Sequence, residues 1–180
     1  MSSRYFVLRA DDPLKTALSF HAVAGELAAQ PLRQANLPAD AIDLSSGRMA
    51  SAVVLEALAI ELLLKVRRER AGLPFIREHK HKVLFDSLPQ SEQDDLRRCY
   101  ETGSGHRKVG RPQPLPVGAI RPAMTVPKLG KGTLVDSGLE LSSKAFEQWR
   151  YAHEHHGGND VVQADFGEMQ FIFDLLRQGL

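Results

Sequence analysis

The chain has 180 residues and a formal net charge of +1, which suits one domain with a full hydrophobic core and excludes recognition of polyanions through bulk charge. A single cysteine, Cys99, excludes an intramolecular disulfide framework and fits a reducing compartment. No apolar run reaches the roughly 18 to 20 residues of a membrane span, and Tyr5-Phe6-Val7-Leu8 is too short for a signal peptide, so the expectation is a soluble cytoplasmic protein with no membrane partner.

Asp12 before Pro13 reads as a helix start, an acceptor followed by a residue preset for the first turn. Leu14, Leu18, His21 or Ala22, and Leu27 then recur at helical spacing to about Gln30. Residues from Pro38 to Gly47 read as a connection. From Arg48 to Ala71 there is neither proline nor glycine, while alanine, leucine and glutamate are frequent, so a long second helix is expected, closed by Gly72 and Pro74. A third helix is expected over His79 to Leu88. A fourth opens on the capping-box pattern of Ser91 and Asp94 and runs to about Glu101, where Gly103 and Gly105 stop it; Cys99 is ordinary filling within it.

Thr102 to Val135 differs in kind, with five prolines, six glycines and no acidic residue. Met124 to Val126 and Thr133 to Val135 flank Gly130-Lys131-Gly132 as the strands of a small hairpin, although Pro127 limits the first. Helix returns after Ser142 and Ser143 and runs through Trp149 to the histidines before Gly157-Gly158. A last helix covers Val162 to Arg177, with Phe166, Met169 or Gln170, Phe173 and Leu176 facing inward. The fold class expected is an all-α bundle of five to six helices, one domain over 1–180, with a basic Pro/Gly-rich insertion at about 102–140.

Arg150 precedes His155 by five residues and His156 by six. A guanidinium can hold a phosphate with two parallel donors, and an imidazole can move the proton of a ribose hydroxyl. Five helical residues subtend roughly 140° beyond a full turn, so one helix presents the pair on one face only if it loosens or a second subunit completes the site. The bland account is that histidines and a following glycine simply suit a helix C-terminus. Glu61 and Lys65 have the favourable four-residue spacing. With Glu56, they either face solvent on a half-buried helix, or one glutamate reaches across to orient Arg150. Arg107, Lys108 and Arg111, in the acid-free stretch, are candidate phosphate contacts. That stretch has no aromatic residue for base stacking. His79, His81 and the later histidines do not match a zinc pattern, and no phosphate-loop or dinucleotide signature occurs, so neither metal nor cofactor is expected.

Ala59-Ile60-Glu61-Leu62-Leu63-Leu64-Lys65, then His79 with Leu84-Phe85 and Leu88-Pro89, then Phe146-x-x-Trp149-Arg150-Tyr151, together resemble the HEPN superfamily of small helical domains over about half the chain. That resemblance implies a helical bundle that dimerises. In catalytic members it implies a metal-independent endoribonuclease site at the dimer cleft, which falls on Arg150 with His155 or His156; Glu61, from the charge argument above, is the candidate orienting carboxylate. Catalytic members often carry a small polar residue after the arginine, where Tyr151 stands here. The expectation is therefore an RNA-directed homodimer, an endoribonuclease in one reading and a non-catalytic RNA- or protein-binding domain in the other. A third reading is a toxin held by a cognate antitoxin.

Overall fold

A computed structural model describes residues 12–29, 39–104, 134–150 and 165–180, with backbone alone for 39–47, 104, 134 and 145–150. These residues form six helices and no strand: α1 (Pro13–Ala29), α2 (Ala39–Arg70), α3 (His81–Asp86), α4 (Gln90–Ser104), α5 (Leu134–Arg150) and α6 (Phe166–Arg177). The all-α class expected from the sequence is the class observed.

Helix α2 is the axis, with α1, α3, α5 and α6 all packed on it. Val53, Ala57, Ile60, Leu63 and Leu64 of α2 are fully buried, and at 3.6 residues per turn they share one broad face of about 120°. Leu84 and Phe85 of α3, Leu139 of α5, and Ile172, Phe173 and Leu176 of α6 complete the same core. Each such side chain contributes about 1.5 to 3 kcal/mol of apolar transfer.

The helix ends show why the chain stops where it does. Asp12 Oδ1 accepts from the backbone N–H of Leu14 and Lys15, each at 3.1 Å, and these bonds hold its carboxyl below the usual range. After α2, the Gly72 N–H bonds the Glu69 carbonyl and the Leu73 N–H bonds that of Arg68. Gly72 has φ +69°. This is a Schellman closure, in which a left-handed residue satisfies the last carbonyls. Asp165 caps α6 by accepting from the Glu168 N–H at 3.0 Å.

Several boundaries differ from the sequence reading. Helix α2 begins at Ala39, so 39–47 is helix rather than connection; nothing from Ala39 to Arg70 is proline, and Gly47 costs only about 1 kcal/mol. Ser91 lies inside α4, where the Glu92 and Gln93 N–H groups both bond the Pro89 carbonyl. Helix α4 also continues through Gly103 to Ser104. Leu134 and Val135 belong to α5, not to a strand, and Ser142 and Ser143 lie in its interior rather than before its start. The remainder of the expected hairpin lies outside the described residues. On α1 the buried positions are Ala17 and Ala24, with Ala22 exposed.

Two contacts set the helix packing. Arg67 of α2 donates from Nε to the Leu176 carbonyl at 2.7 Å and from Nη2 to the Gln178 carbonyl at 2.6 Å, and its Nη1 reaches Glu92 of α4. One guanidinium thus satisfies the C-terminus of α6 and pairs with the first turn of α4. Gly138 lets α5 approach α6: a Cβ there would stand 2.6 Å from Ile172 Cδ1. Arg67→Ala should cost about 3 kcal/mol in urea denaturation, because buried acceptors lose their donor. Gly138→Ala should cost about 1 to 3 kcal/mol despite its better helix propensity, since the fully buried Ile172 must shift to clear the new methyl. An unchanged urea midpoint in either variant would contradict its packing role.

Candidate functional site

Charged side chains inside an apolar helix must be partnered, and α2 shows how its own are. Glu56 is fully buried. Its carboxylate meets His21 Nδ1 of α1 at 2.9 and 3.1 Å, and the His21 ring stacks on Phe173 with centroids 4.0 Å apart. Burial pushes the Glu56 carboxyl above its ordinary value, and the His21 contact offsets only part of that.

Glu61, one and a half turns on, is also buried. Its Oε1 takes both the Lys65 ammonium at 2.6 Å and His79 Nδ1 at 3.0 Å. His79 belongs to the connector between α2 and α3, and its backbone N–H donates to Glu78 Oε1 at 2.8 Å. The Lys80 N–H donates to that oxygen at 3.0 Å, and these bonds hold the Glu78 carboxyl below its usual range. His79 is therefore fixed at backbone and ring, yet its side chain remains 65% exposed. A carboxylate-held imidazole open to solvent can accept, donate or transfer a proton.

His81, two residues further, lies in the opposite environment. Its backbone N–H donates to Ser143 Oγ at 2.7 Å, and Nδ1 lies 2.7 Å from Ser142 Oγ. The ring also hydrogen-bonds the backbone of Ala57. Burial drives its pKa down to about 3, against the raising effect of that bond. It is a neutral core histidine that joins α3 to α2 and α5.

Of the candidate site residues read from the sequence, Glu61 alone has a described side chain, and it pairs with Lys65 and His79. Neither Glu56 nor Glu61 faces solvent, which corrects the half-buried-helix reading of both. Arg150 is the last residue of α5; its side chain, like His155, His156, Arg107, Lys108 and Arg111, lies outside the described residues. Sequence reasoning missed His21 and the separate fates of His79 and His81. The available signal was the unexplained burial of glutamates on α2, which requires cationic or donor groups from other elements. Among the described residues, no three His, Cys, Asp or Glu side chains converge as metal ligands, and no helix is long and apolar enough to cross a membrane. Cys99 is exposed. It lines an open pocket of about 320 Å³ with Glu92, Asp95 and the already satisfied Arg67. No family model matches the chain, and neither a curated protein nor a solved structure matches it.

The buried histidine makes a signed prediction about pH. Below pH 6.5 the unfolded chain binds a proton at residue 81, whereas the folded chain binds one only near pH 3. Stability from His81 is complete above pH 6.5 and falls by up to about 1.4 kcal/mol per pH unit across that window. Glu56 acts with the opposite sign: its raised carboxyl contributes stability that is lost as pH rises through its folded-state value. Urea midpoints at pH 7.5, 6, 5 and 4 should fall more steeply for wild type than for His81→Asn. Parallel curves would show that His81 is not held neutral.

Proposed function

We propose that the chain is an RNA-directed, HEPN-like protein and a metal-independent endoribonuclease, with Arg150 and His155 as the active pair and His156 as the alternative at the longer spacing. The observation that carries this reading is that Arg150 closes α5, a helix packed on α2 and α3, with two histidines five and six residues further along the chain. Further support comes from the all-α class and from the order of the sequence elements that resemble that superfamily.

The chemistry is a transesterification. The imidazole takes the proton of a ribose 2′-hydroxyl, the freed oxygen forms a bond to phosphorus, and the 5′-oxygen of the next nucleotide leaves with a proton. The products are a 2′,3′-cyclic phosphate and a 5′-hydroxyl. Arg150 holds the non-bridging oxygens as charge accumulates on them. Glu61, whose Oε1 already holds Lys65 and His79, is the orienting carboxylate of the proposal. Arg107, Lys108 and Arg111 hold the substrate backbone. In a homodimer each subunit can supply part of a shared site, so Arg150 and His155 need not share one face of one chain. In the toxin form of this reading, a cognate antitoxin is the second partner.

Tyr151 favours a second reading, because catalytic members of the resembled superfamily often have a small polar residue there. In that reading the domain binds RNA or a protein without cutting. Purified wild type, assayed on single-stranded RNA with a chelator present, should yield cyclic-phosphate ends. His155→Ala with His156→Ala should lower the rate by about a hundredfold or more, with unchanged circular dichroism. Cleavage surviving that double change would end the nuclease reading. Salt-sensitive RNA binding without cleavage by wild type would select the second.

A further inference from the structure

The connector between α2 and α3 presents an aromatic ring among cations. Phe75 is 77% exposed, with the Lys65 ammonium 6.0 Å from its ring centroid. Arg77 and Lys80 are exposed, and among the described residues neither makes an ion pair. The nearby carboxylates are already engaged: Glu78 by the backbone N–H groups of His79 and Lys80, and Glu61 by Lys65 and the His79 ring. The exposed side chains of this connector are thus an aromatic ring, two cations that form no ion pair among the described residues, and a clamped imidazole.

We propose that this connector is a contact site for single-stranded RNA, in which Phe75 stacks on a base, Arg77 and Lys80 hold adjoining phosphates, and His79 reads the ribose 2′-hydroxyl. The choice of polymer rests on the RNA-directed reading above; the placement rests on the connector itself. An exposed aromatic face receives any unstacked base, and neighbouring cations follow the backbone, which is how sequence-tolerant single-strand sites are built. A duplex offers no such base. Glu61, as a carboxylate, only accepts, so the His79 ring donates from Nδ1 and leaves its other nitrogen for a ligand. A 2′-hydroxyl, both donor and acceptor, hydrogen-bonds that nitrogen, and DNA lacks the group. The site gives the protein a single-strand preference through residues separate from Arg150 and its histidines.

The test uses the full chain carrying His155→Ala and His156→Ala, so that RNA stays intact, and measures fluorescence anisotropy at pH 7.5 with labelled RNA, DNA of the same sequence and an RNA duplex. Single-stranded RNA should bind tightest. Phe75→Ala should weaken it about tenfold, and Arg77→Ala with Lys80→Ala should weaken it and flatten the salt dependence by about two units of slope. His79→Ala should bring RNA and DNA affinities together, with Glu61→Gln moving the same way. RNA binding that survives the Phe75 and Arg77/Lys80 changes within twofold would overturn the connector site and leave the RNA-directed reading standing. No RNA binding at all would overturn both. Equal affinity of the unaltered connector for RNA and DNA would remove the role given to His79. Displacement by polyglutamate, with Phe75→Ala without effect, would mark generic attraction to acidic chains and overturn the site.

Discussion

Burial of charge along α2 is the constraint on which the rest of this molecule depends. Glu56, Glu61, Arg67 and Arg68 are all nearly removed from solvent, where an unpaired charge costs several kcal/mol. Most of their partners come from other elements. His21 comes from α1, the Leu176 and Gln178 carbonyls from the end of α6, Glu92 from α4, and His79 from the connector. Arg68 bonds Ser87 and the Pro74 carbonyl. Apolar contacts supply most of the driving force but tolerate sliding. These polar contacts do not, so they fix how α1, α4, α6 and the end of α3 are registered against α2.

The same pairing rule separates two histidines only two residues apart. His81 enters α3 with its ring toward α2 and α5, where two serine hydroxyls and the backbone of Ala57 satisfy it without charge. His79 lies before the helix begins, where the extended connector leaves its ring at the surface against Glu61. One has become core and the other a chemically usable group. The difference is created by where α3 starts, and Glu78 contributes to that start by taking the backbone N–H groups just before it.

How far the sequence could be read depended on whether the relevant physics was local. Asp12 and Pro13 open α1, and Gly72 closes α2 at a left-handed turn, because capping and backbone conformation are decided within a few residues. The helical class and the long apolar axis were legible for the same reason. Gly103 and Gly138 were not, because helical glycines look like stops until the close approach of Phe171 and Ile172 is known. Ser142 and Ser143 resembled a helix start, yet their hydroxyls serve His81 from within α5. For Glu61 the helical partner Lys65 was legible from its spacing, but the second partner, His79, was not.

The sequence by itself determined the all-α class and a long apolar second helix, and it left open whether the glutamates on that helix face solvent or need partners. Only the tertiary structure decided that question and which groups are the partners: His21 lies thirty-five residues from Glu56 and His79 eighteen from Glu61. Helix formation follows from short-range periodicity and capping, which the chain carries within each segment. The choice of partner for a buried charge depends on which distant surfaces meet when the apolar faces close, and that is a property of the packed bundle.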